Sequence, residues 1–290
     1  MNCTTISLLF FTFFITDASA QKSKVTIDWN IAGALPSTSG KQLGFAGPVA
    51  GVGNNVLIVG GGSNFPDSMP WLGGKKKYYN DLYVFKKDNK DSLILFKSFK
   101  LPFPLAYSAN CSSSRGIIVA GGENENGISN KVLLIQWIEA TQNIRIKNLP
   151  DLPFEVTNAS VVVRNEKVYL AGGEMTNEVS NHFLSLDLNN INAGWKNLPH
   201  LPKPVSHFVM TVQSNGKDDC IYVIGGRRKN TDGPSDLYIS NDQFDLKTNK
   251  WKEKKSLPYM LSAGTELPLE QILFYYLVEI KAQPFIKQKN

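Results

Sequence analysis

Histidine and cysteine are both scarce, with three of each in 290 residues. His182, His200 and His207 stand apart, and no CxxC or HExxH spacing occurs. No metal site and no cofactor is therefore expected. Cys3 lies in the apolar start of the chain, while Cys111 and Cys220 are far apart, which favours two buried thiols over a disulfide. Long apolar runs are also lacking. The longest, Ile6 to Ile15, is too short to cross a bilayer, and no membrane contact is expected. Followed by Ala18-Ser19-Ala20, it reads as a secretory signal over residues 1–20, cleaved before Gln21, and a periplasmic or secreted protein is expected. No Lys or Arg precedes the run, so a buried N-terminal strand is the alternative. Nor is there a concentrated basic face. The net charge of +6 is spread over short clusters at Lys75-Lys76-Lys77, Arg227-Arg228-Lys229 and Lys252 to Lys255, and no nucleic-acid partner is expected.

What the chain has is material for a core, 42% hydrophobic residues, and a repeat. Runs ending in paired glycines recur as Val56-Leu57-Ile58-Val59-Gly60-Gly61-Gly62, Ile117 to Gly122, Val168 to Gly173 and Ile221 to Gly226. From Gly61 through Gly121 and Gly172 to Gly225 the intervals are 60, 51 and 53 residues. That period fits a kelch-type β-propeller and not the shorter WD40 blade. Each run reads as a strand buried on both faces, because a propeller blade packs against a neighbour on either side. Third strands follow at Asp81 to Phe85, Lys131 to Trp137, Phe183 to Asp187 and Gln243 to Leu246. Outer strands end in Leu-Pro, as in Trp195 to Pro199 and Trp251 to Pro258, where an edge needs no ladder donor. Ile27 to Pro36 reads as an outer strand that completes the C-terminal blade and closes the ring. Four complete blades are counted, with a fifth beginning near Met260.

The stretch Gly60-Gly61-Gly62-Ser63-Asn64-Phe65-Pro66, with Pro70-Trp71-Leu72-Gly73-Gly74-Lys75 and Asn80-Asp81-Leu82-Tyr83-Val84, resembles the cyclically permuted branch of the sialic-acid mutarotases, the N-acetylneuraminate epimerase family. The resemblance extends from about Trp29 to Thr265. It implies a six-bladed propeller and an isomerase that interconverts the anomers of N-acetylneuraminate, so a small acidic sugar is the implied partner. Homodimerisation is left open. Mutarotation needs a base for the anomeric hydroxyl proton and a donor for the ring oxygen, and a guanidinium suits the carboxylate.

Candidate catalytic residues are Glu123 and Glu174, each directly after a diglycine, with Arg227 in the same place of the next blade as a substrate-binding candidate. Their alternative reading is as turn residues paired with neighbouring loops. Asn64, Trp71 and Lys75, in the long loop, are further substrate-binding candidates. Trp71 packed under its own loop and Lys75 as a solvated charge are the alternatives, and His207 reads as structural. The rival function is a non-catalytic propeller that binds a glycan or protein partner through its loops. A hydrolytic sialidase is disfavoured by the absence of Ser-x-Asp-x-Gly-x-x-Trp repeats, and a copper oxidase by the few histidines.

After Thr265 the pattern breaks, which divides the chain into residues 1–20, a propeller over 21–265 and an aberrant tail over 266–290. Gln271 to Lys289 can be encoded by codons that, read one nucleotide earlier, give Asn-Ser-Ile-Leu-Leu-Phe-Gly-Gly-Asp-Lys-Gly-Thr-Thr-Phe-His-Lys-Thr-Glu. Those hidden glycines overlap Leu277 to Glu279, about 52 residues beyond Gly225 and in step with the other intervals. A frameshift near Thr265 that replaces the rest of the fifth blade and removes the sixth is the expectation. The resemblance places the family's glutamate proton acceptor, in a Gly-Glu motif followed by an arginine, beyond that break. A truncated, inactive product is therefore expected, with exposed blade faces prone to aggregate.

Overall fold

The computed structural model describes residues 31–36, 43–269 and 273–277, with side chains through Gly264. The chain divides into compact units 1–31 and 32–290, and the architecture below is that of the second. The signal reading, Ile27 to Asn30 and most of the tail lie outside the described residues.

Four four-stranded antiparallel sheets follow one another. The first holds Val49–Gly53, Val56–Gly60, Asp81–Lys87 and Leu93–Lys100; the second Ala109–Ser113, Gly116–Ala120, Val132–Ile138 and Asn143–Asn148. The third holds Ser160–Arg164, Lys167–Ala171, Phe183–Asp187 and Lys196–Asn197; the fourth Val209–Ser214, Asp219–Ile224, Asn241–Asp245 and Lys250–Glu253. Each is a meander in chain order, the kelch blade expected from the repeat. Asn54 and Asn55, at φ 48° and 62°, close the first hairpin as the two left-handed residues that such a turn requires. A further hairpin pairs Thr265–Leu269 with Leu273–Leu277.

The faces alternate along each second strand, as a period of two demands. Ile117 and Val119 pack toward Val56 and Ile58 of the first sheet, while Ile118 and Ala120 pack toward Val168 and Leu170 of the third. Tyr169 and Ala171 then meet Ile221 and Val223 of the fourth. Every sheet between two others is thus buried on both sides. This is the side-by-side order of a propeller, and it excludes a two-layer sandwich, in which each sheet keeps one wet face. Cys220, Tyr222 and Ile224, on the far face of the fourth sheet, pack with Leu257 and Leu261. Cys111 and Cys220 are free thiols, and burial pushes the Cys111 thiol up to about 12.

The diglycines have a specific cause. At Gly121, φ is 64° and a Cβ would lie 2.3 Å from the Val156 carbonyl oxygen. Gly122 N–H donates to that same oxygen at 2.8 Å. The first glycine leaves room for the carbonyl of the segment leading into the next sheet, and the second binds it. Leu105, Val205 and Leu261 play the part of Val156 in the other three sheets.

Ala32 to Pro36 carry no strand. The outer strand expected over Ile27 to Pro36 to complete the C-terminal blade is not formed by these described residues. The Ala32 carbonyl accepts from Leu93 N–H at 2.6 Å, and Gly33 to Leu35 line a small groove with Leu57, Val59, Phe85 and Leu93. The outward face of the first sheet has no preceding sheet among the described residues, and this apolar strip lies over it.

Candidate functional site at the diglycine end

Ser63, Glu123, Glu174 and Arg227 each follow a diglycine, and each is pinned by a reciprocal pair of backbone hydrogen bonds. Glu123 exchanges bonds of 2.8 and 3.0 Å with Ala106, Glu174 of 2.7 and 3.0 Å with Thr157, and Arg227 of 2.9 and 2.8 Å with Ser206. Ser63 does the same with Ala46. The four side chains therefore start from equivalent places at one end of four sheets, on backbone that a rigid scaffold holds.

Two polar clusters result. In the first, Tyr78 O–H (2.7 Å) and Lys76 Nζ (3.1 Å) both donate to Glu123 Oε1. The Lys76 ammonium also lies over the Tyr107 ring, 4.7 Å from its centroid. Ser63 Oγ donates to the Tyr107 hydroxyl at 3.2 Å. Burial pulls the Lys76 ammonium down, but Glu123 outweighs it and the pKa sits above its ordinary value. Burial, then Glu123, raises the Tyr78 phenol. In the second cluster, Ser206 Oγ (2.9 Å) and Arg227 Nη2 (3.2 Å) donate to Glu174 Oε1, with His207 Nδ1 at 3.5 Å. Arg227 Nε is buried without a hydrogen-bond partner among the described residues. Burial first, and Arg227 second, hold the His207 pKa below its usual value. Among the described residues no group of three or more His, Cys, Asp or Glu could hold a metal ion.

A family model described as the KLHDC2/KLHL20/DRC7 Kelch-repeats domain matches residues 46–263, all four sheets and the connections between them. The chain belongs to the kelch-repeat family. Within that family it is similar to curated relatives named N-acetylneuraminate epimerase. That of Brucella melitensis is 35% identical over 38% of this chain and 30% of the relative. That of Yersinia enterocolitica is 34% identical over 33% and 26%, and that of Vibrio cholerae 32% identical over 38% and 30%. The matched part of this chain thus spans about 30% of the length of the first of these relatives. The solved structure of YjhT has a TM-score of 0.61 at 15% identity, covering 78% of this chain and 75% of that one, a likeness of fold.

The kelch frame brings Glu123, Glu174 and Arg227 to one end and ties Glu174 to Arg227 directly. Asn64 sits beside Ser63 but is occupied: its Oδ1 accepts from Tyr79 O–H (2.8 Å) and its Nδ2 donates to the Gly44 carbonyl (3.2 Å). Trp71 lies on a single 3-10 turn, Pro70–Leu72, and is 77% exposed. Lys75 is exposed, and Lys76 is the lysine that reaches Glu123. Sequence reading missed Lys76, Tyr78, Tyr107 and Ser206. A signal for Tyr107 existed: Gly47, Tyr107 and Asn158 stand the same number of residues ahead of their diglycines.

Proposed function

We propose that this kelch protein takes N-acetylneuraminate, or a sugar acid much like it, at the diglycine end. The observation that carries the reading is the pair of cation–carboxylate contacts, Lys76 with Glu123 and Arg227 with Glu174, on equivalent positions of the propeller. Cations there can face a sugar carboxylate, while the carboxylates, phenols and imidazole exchange hydrogen bonds with hydroxyls. The relatives named N-acetylneuraminate epimerase support the same substrate class. With this goes a secreted or periplasmic location, in keeping with the signal reading of residues 1–20.

On activity, we infer a chain that binds without accelerating mutarotation. Residues 266–290, which lie where the resemblance calls for the blade before its Gly-Glu proton acceptor and arginine, contain neither glycine nor arginine. The last hairpin supports a frameshift. Thr265 pairs with Leu277 as Ala109 pairs with Ala120 and Ser160 with Ala171. Counting on from those partners reaches the diglycines Gly121-Gly122 and Gly172-Gly173, but here Val278-Glu279, where the hidden frame carries its glycines.

Saturation-transfer NMR with N-acetylneuraminate, with neutral N-acetylmannosamine for comparison, tests the binding. Transfer to the acid that exceeds transfer to the neutral sugar is expected. No transfer at millimolar sugar would sink the reading. Exchange spectroscopy on the same samples tests activity, with the spontaneous anomer exchange rate expected unchanged.

A further inference from the structure

Five residues at the diglycine end share a left-handed backbone: Gly47 (φ 59°), Tyr107 (55°), Asn158 (53°), His207 (52°) and Ala263 (56°). They form a chain of hydrogen bonds from sheet to sheet. Tyr107 N–H donates to the Gly47 carbonyl (2.8 Å), Asn158 to Tyr107 (2.9 Å), His207 to Asn158 (3.3 Å) and Ala263 to His207 (2.8 Å). This collar needs a left-handed link and nothing more, and glycine supplies one without a Cβ penalty, as Gly47 does. A tyrosine or histidine there costs about 1–2 kcal/mol, asparagine less.

Three of the collar residues, Tyr107, Asn158 and His207, carry polar side chains, and Tyr107 and His207 belong to the two clusters already described. The Tyr107 hydroxyl meets Ser63 and its ring lies under Lys76. The His207 ring reaches Ser206 Oγ at 3.1 Å and faces Glu174 and Arg227, with Glu123 within electrostatic range. Asn158 stands between Tyr107 and His207 in the collar. It is half-buried, and its side-chain amide has no hydrogen-bond partner among the described residues. That amide offers two donors and an acceptor in one plane. Strained, unspent polar groups of this kind gather where a ligand uses them.

We propose that Tyr107, Asn158 and His207 form the floor on which the sugar acid lies, with the Asn158 amide as the group that selects it by its hydroxyl or acylamino substituents. This rests on the reading that the diglycine end binds such a sugar.

The strain provides the test. Asn158→Gly and His207→Gly remove the side chain and leave a residue better suited to the backbone, so thermal unfolding is expected at an unchanged or higher temperature. Affinity for N-acetylneuraminate, from saturation-transfer titration, is expected to fall about tenfold in each, the equivalent of one lost hydrogen bond. Asn158→Asp keeps the shape and tolerates the same φ. It should weaken binding of the acid at least as much and of neutral N-acetylmannosamine less, because a carboxylate repels the acid alone. Affinity within twofold of the unsubstituted chain in both Asn158 variants would overturn the proposal. So would a lowered melting temperature accompanying the loss in both glycine variants, since the side chains would then serve the fold. If the unsubstituted chain gives no transfer, it is the functional reading that fails, and the floor falls with it.

Discussion

His207 shows how one residue couples site and stability. Burial, then the Arg227 charge, depress its pKa below the ordinary 6.5, against the opposing pull of Glu174 and Glu123. The unfolded chain therefore takes up a proton at this position at a higher pH than the folded one does. Above about pH 6.5 neither state is protonated and no difference arises; as the pH falls below that value, proton uptake favours the unfolded chain. Urea unfolding at pH 7.5, 6.5 and 5.5 should show stability declining over the lower interval, above the range in which carboxylates titrate. His207→Gln should reduce that decline without abolishing it, since His182 is also depressed, by burial and then by His200. Equal declines in the two proteins would show that His207 contributes nothing to it.

At the scale of the element, the turn that ends each second strand is the part most tightly specified. Gly172 has φ 59°, and a Cβ there would stand 2.3 Å from the Val205 carbonyl oxygen, whereas Gly73, left-handed at φ 84° and ψ 9°, has nothing within 4 Å. Gly73→Ala should cost about 1 kcal/mol, the left-handed penalty alone. Gly172→Ala should cost that plus the displacement of a carbonyl that Gly173 N–H binds at 2.9 Å, or about 3 kcal/mol or more. Urea midpoints of the two variants measure the difference, and equal costs would show that the carbonyl contact is not what demands glycine. This demand is why the blades were legible in the sequence. The second strands and the third strands of the first three sheets were legible too, as largely apolar runs, whereas the third strand of the fourth, Asn241–Asp245, buries Asp242 and Gln243. The first strand of the second sheet was not legible, because its side chains are spent on neighbouring backbone. Asn110 Oδ1 accepts from Ala50 N–H (3.0 Å) and Ser112 Oγ from Val52 N–H (2.8 Å), so Ala-Asn-Cys-Ser-Ser carries no hydrophobic pattern. The site was half legible for a related reason. Glu123, Glu174 and Arg227 follow from their place after a diglycine. Lys76 and Tyr78 reach Glu123 only because the long loop of the first sheet crosses to the second, and the sign of φ at Tyr107 and His207 is not written in residue type.

For the molecule as a whole, the collar and the alternating faces give the order of the sheets, and both continue past the fourth. Ala263 N–H takes its place on the His207 carbonyl, Leu261 binds Gly226 N–H as Val156 binds Gly122 N–H, and the hairpin after Thr265 pairs in the same register as a first and second strand. The approach to a fifth blade is thus built by the same contacts as the approach to the second, third and fourth. What changes is the residue type in the sequence just beyond Leu277, where the count calls for two glycines and Val278-Glu279 stand instead. A frameshift accounts for this economically, because a shift by one nucleotide returns both glycines at once. The coding DNA decides it: the frame one nucleotide earlier should stay open beyond the codon for Lys289 and give a further diglycine about 50 residues on, the kelch period. A stop codon soon after, or an open frame with no such pair, would leave the hidden glycines a coincidence of codon degeneracy.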